Sequence, residues 1–121
     1  MGLGCSESMK ILAEPISLPE LRTLARGRFG HLVKAVVDIR RVVMAVDGEL
    51  HADLEALLLE DGSQQFDVWG INLYPDLEGD DWIEFDSLIN LRPSAGNQTR
   101  GVEDERIQAQ IREIVHRLVN E

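Results

Sequence analysis

Two β-branched runs, Val33 to Ile39 and Val42 to Val46, meet at Arg40-Arg41. Side chains branched at Cβ lose freedom beside a helical turn but pack well on a pleated surface, so each run reads as a strand. Together they anchor an antiparallel meander that occupies the middle of the chain. Met9-Lys10-Ile11-Leu12 adds a short strand before it, and Val68 to Tyr74 adds another, closed by Pro75. Asp47-Gly48 and Asp61-Gly62 are hairpin turn signals. Between them, Glu49-Leu50-His51-Ala52-Asp53-Leu54-Glu55-Ala56 alternates polar and apolar, the period of a half-buried strand. Leu50, Leu54, Leu57 and Leu58 also fit helical spacing, and Ala, Leu and Glu favour helix. The flanking turn signals tip the expectation to a strand. Asp76 to Asp81 reads as an acidic loop. Trp82 to Arg92 alternates again, with Ile83, Phe85, Ile89 and Leu91 on one face and Glu84, Asp86, Asn90 and Arg92 on the other.

Two helices flank this meander. Ser17-Leu18-Pro19-Glu20 is a capping box with proline in the first turn, where its missing N–H costs nothing. Leu18, Leu21, Leu24, Ala25 and Phe29 then form one stripe, ended by Gly30. Ile107, Ile111, Ile114, Val115, Leu118 and Val119 give the second helix, from about Asp104 to Val119, its apolar stripe. Elements with one apolar face each must bury it against another layer. The predicted fold is therefore two-layer α+β: an antiparallel sheet of about five strands with two helices on one face. The other sheet face is expected to carry many of the charged residues.

The chain has 121 residues, 44% of them hydrophobic, enough for one domain with a core that needs no staples. Residues 9–121 are expected to form that domain and residues 1–8 a disordered extension. Met1-Gly2-Leu3-Gly4-Cys5-Ser6 matches the short myristoylation pattern, but so brief a pattern also arises by chance. Cys5 is the single cysteine, so no internal disulfide can form, and a cytoplasmic location is the simplest expectation.

The net charge of −10 is unevenly spread. Residues 1–41 carry +3, residues 42–91 carry thirteen acids and no Lys or Arg, and residues 92–121 sum to zero. Nucleic acid is bound by clustered cations, which this chain lacks, so neither nucleic acid nor an acidic membrane surface is an expected partner. A basic partner or a divalent cation suits the middle segment; the alternative is that its charge serves solubility alone, with no partner.

From Met9 onward the chain resembles an uncharacterised, mainly bacterial family known as a domain of unknown function. The resemblance is carried by Met9-Lys10-Ile11-Leu12, by Gly48-Glu49-Leu50-His51-Ala52-Asp53 with Leu57 to Ser63, and by Trp69-Gly70-Ile71-Asn72-Leu73-Tyr74-Pro75. Trp82 to Ser87 and Arg92-Pro93-Ser94-Ala95-Gly96-Asn97 with Arg100-Gly101-Val102 complete it. It spans nearly all of residues 9–121 and implies no particular chemistry.

Two constellations are candidates for a site. The polar loop from Arg92 to Gly101 holds Arg92, Ser94, Asn97, Thr99 and Arg100 and leads into a helix N-terminus, a combination suited to an anion. The structural alternative pairs its arginines with acids of the middle segment and turns Asn97 and Ser94 onto turn backbone. The second candidate is His51, Asp53 and Glu55, with Glu49 nearby and Asp86 or Glu84 from a neighbouring strand, a donor set for a divalent metal. Alternate residues of one strand run parallel and converge poorly, whereas His51 and Glu55 would converge better on a helix. Trp69 and Trp82 read as packing residues, and His31 and His116 as surface residues. Ser63, Ser87 and Ser94 lack a nucleophile-elbow context.

The expected function is a binding or interaction module for a small anion or a protein partner, using no cofactor. The alternative is a divalent-metal-dependent hydrolase. The sequence leaves a homo-oligomeric state open.

Overall fold

The structure, a computed structural model, describes residues 8–120. The expected N-terminal extension, Ser8 apart, lies outside the described residues, and Cys5 with it. Ser8 itself accepts a hydrogen bond from Arg28.

The elements run β1 (Lys10–Leu12), β2 (Ile16–Ser17), α1 (Leu18–Arg28), β3 (Val33–Asp38), β4 (Val43–Val46), α2 (His51–Glu60), β5 (Val68–Leu73), β6 (Ile83–Glu84), α3 (Glu105–Leu118) and β7 (Val119–Asn120). Five of the strands form one antiparallel sheet in the order β1-β4-β3-β5-β6. β2 and β7 make a separate two-residue parallel pair that ties the start of α1 to the end of α3. Among the described residues no helix is long and apolar enough to cross a membrane.

The β-branched runs form the sheet centre because both of their faces are covered. Ala35 and Val37 of β3 join Met44, Val46, Ile71 and Leu73 under α1 and α3, whose Leu21, Ala25, Ile111, Val115 and Leu118 are buried there. Val36 faces the other way, with Ala45 and Val68 beneath Leu54 and Leu58 of α2. Local signals fix the helix ends. Ser17 and Glu20 close the capping box, and Gly30, at φ 90°, donates its N–H to Ala25 O at 2.7 Å. Asp104 caps α3 through the Arg106 N–H.

The β3–β4 turn is held by a buried carboxylate. Asp38 Oδ1 accepts from the Arg40 and Arg41 N–H groups at 2.8 and 2.9 Å, and Oδ2 accepts from Ser63. Arg41 donates to Ser63 Oγ and pairs with Asp61, so the turn is locked to the end of α2.

The α+β class, the five-stranded antiparallel sheet and the two helices on one face are all found. The segment expected as a strand from Glu49 is a helix, and it adds a third layer. Helical spacing overrides the alternation because it brings Leu54 and Leu58 together onto Val36, Ala45 and Val68, while Ala52 and Ala56 face solvent. Asp47-Gly48 is a turn, but one that launches a helix. Asp47 has φ 68°, and Gly48 sits so close to Leu54 that a Cβ there would lie 2.9 Å from its Cδ2. The sheet face expected to stand open is therefore sealed by α2.

Trp82 to Arg92 is extended only at β6, where Ile83 and Glu84 pair with Leu73 and Asn72. The chain then crosses the sheet edge: Ile83 packs with the α1/α3 core, whereas Ile89 packs with the α2 core. A continued strand could not serve both faces. A 3-10 turn at Leu88–Asn90, capped by Ser87, makes the crossing. The Asn90 amide replaces the missing strand, accepting from the Gly70 N–H at 2.8 Å and donating to the Gly70 carbonyl at 2.9 Å.

Candidate binding cleft

The Arg92–Gly101 loop is the outer guard of that edge, and its Arg92 and Asn97 side chains are turned inward. Arg92 donates to the carbonyls of Ile89 and Val68 and lies over the Trp69 ring, 4.6 Å from its centroid. Burial lowers the pKa of its guanidinium, against the opposing pull of the Glu55 charge. Asn97, 5% exposed, donates to the carbonyls of Asn90, Thr99 and Gly101 and accepts the Glu103 N–H. Thr99 Oγ1 accepts the Gly101 N–H. Arg100 pairs with Asp86 at 2.9 Å. Ser94 is exposed in the turn that Gly96 closes at φ 89°. The pairing of Arg100 with a middle-segment acid, and the use of Asn97 to satisfy backbone, are the structural reading of this loop.

His51, Asp53 and Glu55 all lie on α2. The His51 Nε2 faces the Ile71 carbonyl at 2.9 Å, and burial depresses its pKa below 6.5. Asp53 is exposed, more than half a turn away from His51 around the helix. Glu55 is one turn beyond His51, and its Oε2 is buried without a hydrogen bond. Glu49 pairs with Arg28, Asp86 with Arg100, and Glu84 accepts from Asn72 and Tyr74. Among the described residues no group of three or more His, Cys, Asp or Glu is placed to hold a metal ion. Gly70 lets Ser87 and, less tightly, His51 of α2 approach β5: a Cβ there would lie 2.6 Å from Ser87 Cβ and 3.2 Å from His51 Cδ2.

A different concavity lies on the α1/α3 side. The β5–β6 connection leaves the sheet at Tyr74-Pro75 and returns at Trp82, its ends closed by the Tyr74 N–H on the Trp82 carbonyl at 2.8 Å. This strap, residues 75–81, arches over the start of α1 and the last turns of α3. Between them is a cleft of about 670 Å³, within the size range of small-ligand sites. A groove of about 170 Å³ beside Ile39, Val42 and Ile114 is much smaller.

The cleft has three kinds of lining. Leu18, Pro75, Leu77, Trp82 and Val119 supply apolar surface. Arg22, Arg112 and His116 come from the helices, and Asp76, Glu78 and Asp80 from the strap. The β2–β7 pair positions this floor, because Ile16 and Val119 are partners in its register. Arg22 meets Asp76 at 3.1 Å and Arg112 meets Asp80 at 3.7 Å, so two ion pairs bridge the mouth. Arg112 also lies over the Phe85 ring, and Trp82 meets His116 edge-on at 6.2 Å. Glu78 and Asp81 have no cationic partner among the described residues, and Leu77 is 49% exposed. Beside the strap, burial and the bond to Glu84 push the Tyr74 phenol up to about 12.

Sequence reading found the acidic strap but not its opposite wall. Arg112 and His116 are four apart on the polar side of α3, a spacing that would have flagged them as neighbours. Their meeting with Asp80 and Trp82 is tertiary and leaves no local trace.

These features define a small α+β protein whose five-stranded antiparallel sheet lies between helices and which carries a charged-rim cleft on its α1/α3 side. Residues 10–118 match the family described as Protein of unknown function (DUF5674), and the chain belongs to that family. No curated protein and no solved structure matches it.

Proposed function

We propose that this protein is a small cytosolic binding module whose ligand site is the cleft between the strap and helices α1 and α3. The observation that carries this reading is the coexistence, in one concavity of about 670 Å³, of an apolar floor and rims of opposite charge. Ligand sites combine these properties: apolar surface for affinity and a few polar groups for orientation. The lone cysteine accounts for the cytosolic part of the proposal. The Arg92–Arg100 loop is a weaker seat, because Arg92 and Asn97 already donate to the carbonyls of Ile89 and Asn90, and Arg100 to the Asp86 carboxylate. The hydrolase alternative needs ligands that converge, and Asp53 lies away from His51 and Glu55 on α2.

A fragment screen by nuclear magnetic resonance tests the reading. Fragments spanning cations, anions, zwitterions and neutral aromatics are added to isotope-labelled protein. Binders are expected to shift the Trp82 indole and the Gly79 amide. His116→Trp, which adds bulk to the cleft from an exposed position, should abolish those shifts. Binders that move Arg100 and Ser94 and leave Trp82 unchanged would overturn it in favour of the loop.

A further inference from the structure

We infer that the partner of this cleft is a basic polypeptide segment, a Lys or Arg placed next to an apolar anchor. This inference rests on the cleft being the ligand site. Its lining contains two cations, Arg22 and Arg112, against three carboxylates, Asp76, Glu78 and Asp80, which with Asp81 next in the chain leaves a formal charge of −2, histidine counted neutral. The two cations are already engaged by strap acids, so an incoming anion would have to displace a carboxylate and face the remaining ones. An incoming cation meets Glu78, which has no cationic partner among the described residues, without displacing anything.

The bridging ion pairs are also easy to exchange. The Asp80 side chain is 97% exposed and that of Asp76 is 70% exposed. Exposed pairs of this kind are screened by solvent and contribute little to stability. A guanidinium or ammonium from a partner can take the place of Arg22 or Arg112 at little cost. Trp82 offers an aromatic surface for the aliphatic stem or charged head of such a side chain. Leu77, exposed at the strap tip next to Glu78, offers the contact for a neighbouring apolar residue.

Two blocked five-residue peptides separate the possibilities: Leu-Arg-Lys-Leu-Arg and its acidic counterpart Leu-Glu-Glu-Leu-Glu, each titrated into labelled protein. The basic peptide is expected to shift the Trp82 indole and the Gly79 and Leu77 amides, and the acidic one to leave them in place. The double variant Glu78→Lys, Asp81→Lys changes only exposed positions and should weaken the basic peptide roughly tenfold or more. Preferential binding of the acidic peptide at the same residues overturns the basic class and leaves the cleft standing. So does failure of both peptides where fragments still bind. Basic-peptide shifts spread evenly over the acidic surface, or indifferent to the double variant, overturn recognition by the strap. Silence of the cleft to peptides and fragments alike removes the underlying reading.

Discussion

The loop from Arg92 to Gly101 and the strap from Pro75 to Asp81 are both polar and both border β6, yet they use their polar groups in opposite ways. In the loop, Asn97 alone makes four hydrogen bonds to backbone, and Arg92 caps two carbonyls. In the strap, Asp76 and Asp80 meet arginines only at exposed positions, and Glu78 and Asp81 meet none. The difference follows from what each segment replaces. The loop stands in for a missing edge strand, so its side chains must satisfy β5 and one another. The strap joins two strands that already pair at their ends, so its side chains carry no such obligation. Richness in polar residues is therefore a poor guide to a site. Where their hydrogen bonds go is a better one.

The sharpest way to break this contrast is Asn90→Ala. It strips both the N–H and the carbonyl of Gly70 of their partner inside the protein. Each buried group left unpaired costs about 1–3 kcal/mol, so a loss of about 2–4 kcal/mol is expected in urea denaturation. A loss below about 0.5 kcal/mol would mean that the Leu88–Asn90 turn, on which the loop packs, does not secure the edge.

A smaller effect is expected from pH. Burial lowers the His51 pKa in the folded state, so below about pH 6.5 the unfolded chain takes up a proton that the folded one resists. Stability should therefore fall as pH drops from neutral toward the folded-state pKa and then level off. His51→Gln should flatten that segment of the stability–pH curve. An unchanged slope would show that His51 is not held neutral against β5.

The smallest effect belongs to the strap. The double variant Asp76→Ala, Asp80→Ala removes both bridging ion pairs and should change stability by only about 0–1 kcal/mol, because exposed pairs contribute little. A loss comparable to that of Asn90→Ala would place the strap among the structural elements and erase the contrast.

The part of the fold legible in the sequence was the part governed by local or strictly periodic signals. The Ser17–Glu20 capping box, the α3 stripe and the β-branched pair around Arg40-Arg41 each state their own conformation. Two elements differ from their sequence expectation, because there one pattern fits two periods or serves two faces. In Glu49 to Ala56 the alternation was genuine, but Leu54 and Leu58 had a sheet face to cover, which only a helix could do. In Trp82 to Arg92 the apolar residues alternate over the whole run, yet Ile83 and Ile89 belong to opposite cores. The site was less legible still. The acids of the strap were visible, but Arg22 and Arg112 reach them from positions 54 and 32 residues away in the chain, and no local pattern encodes that meeting.

Native-state hydrogen exchange tests the division between scaffold and strap most directly. The amides of Ser87 and Asn97, bonded to Arg100 and Arg92 carbonyls, should exchange only with global unfolding. Those of Leu77 and Asp81 should exchange through a local opening several kcal/mol lower, about 0–2 kcal/mol above the native state. Equal protection of all four amides, or faster exchange at Asn97 than at Leu77, would contradict the account.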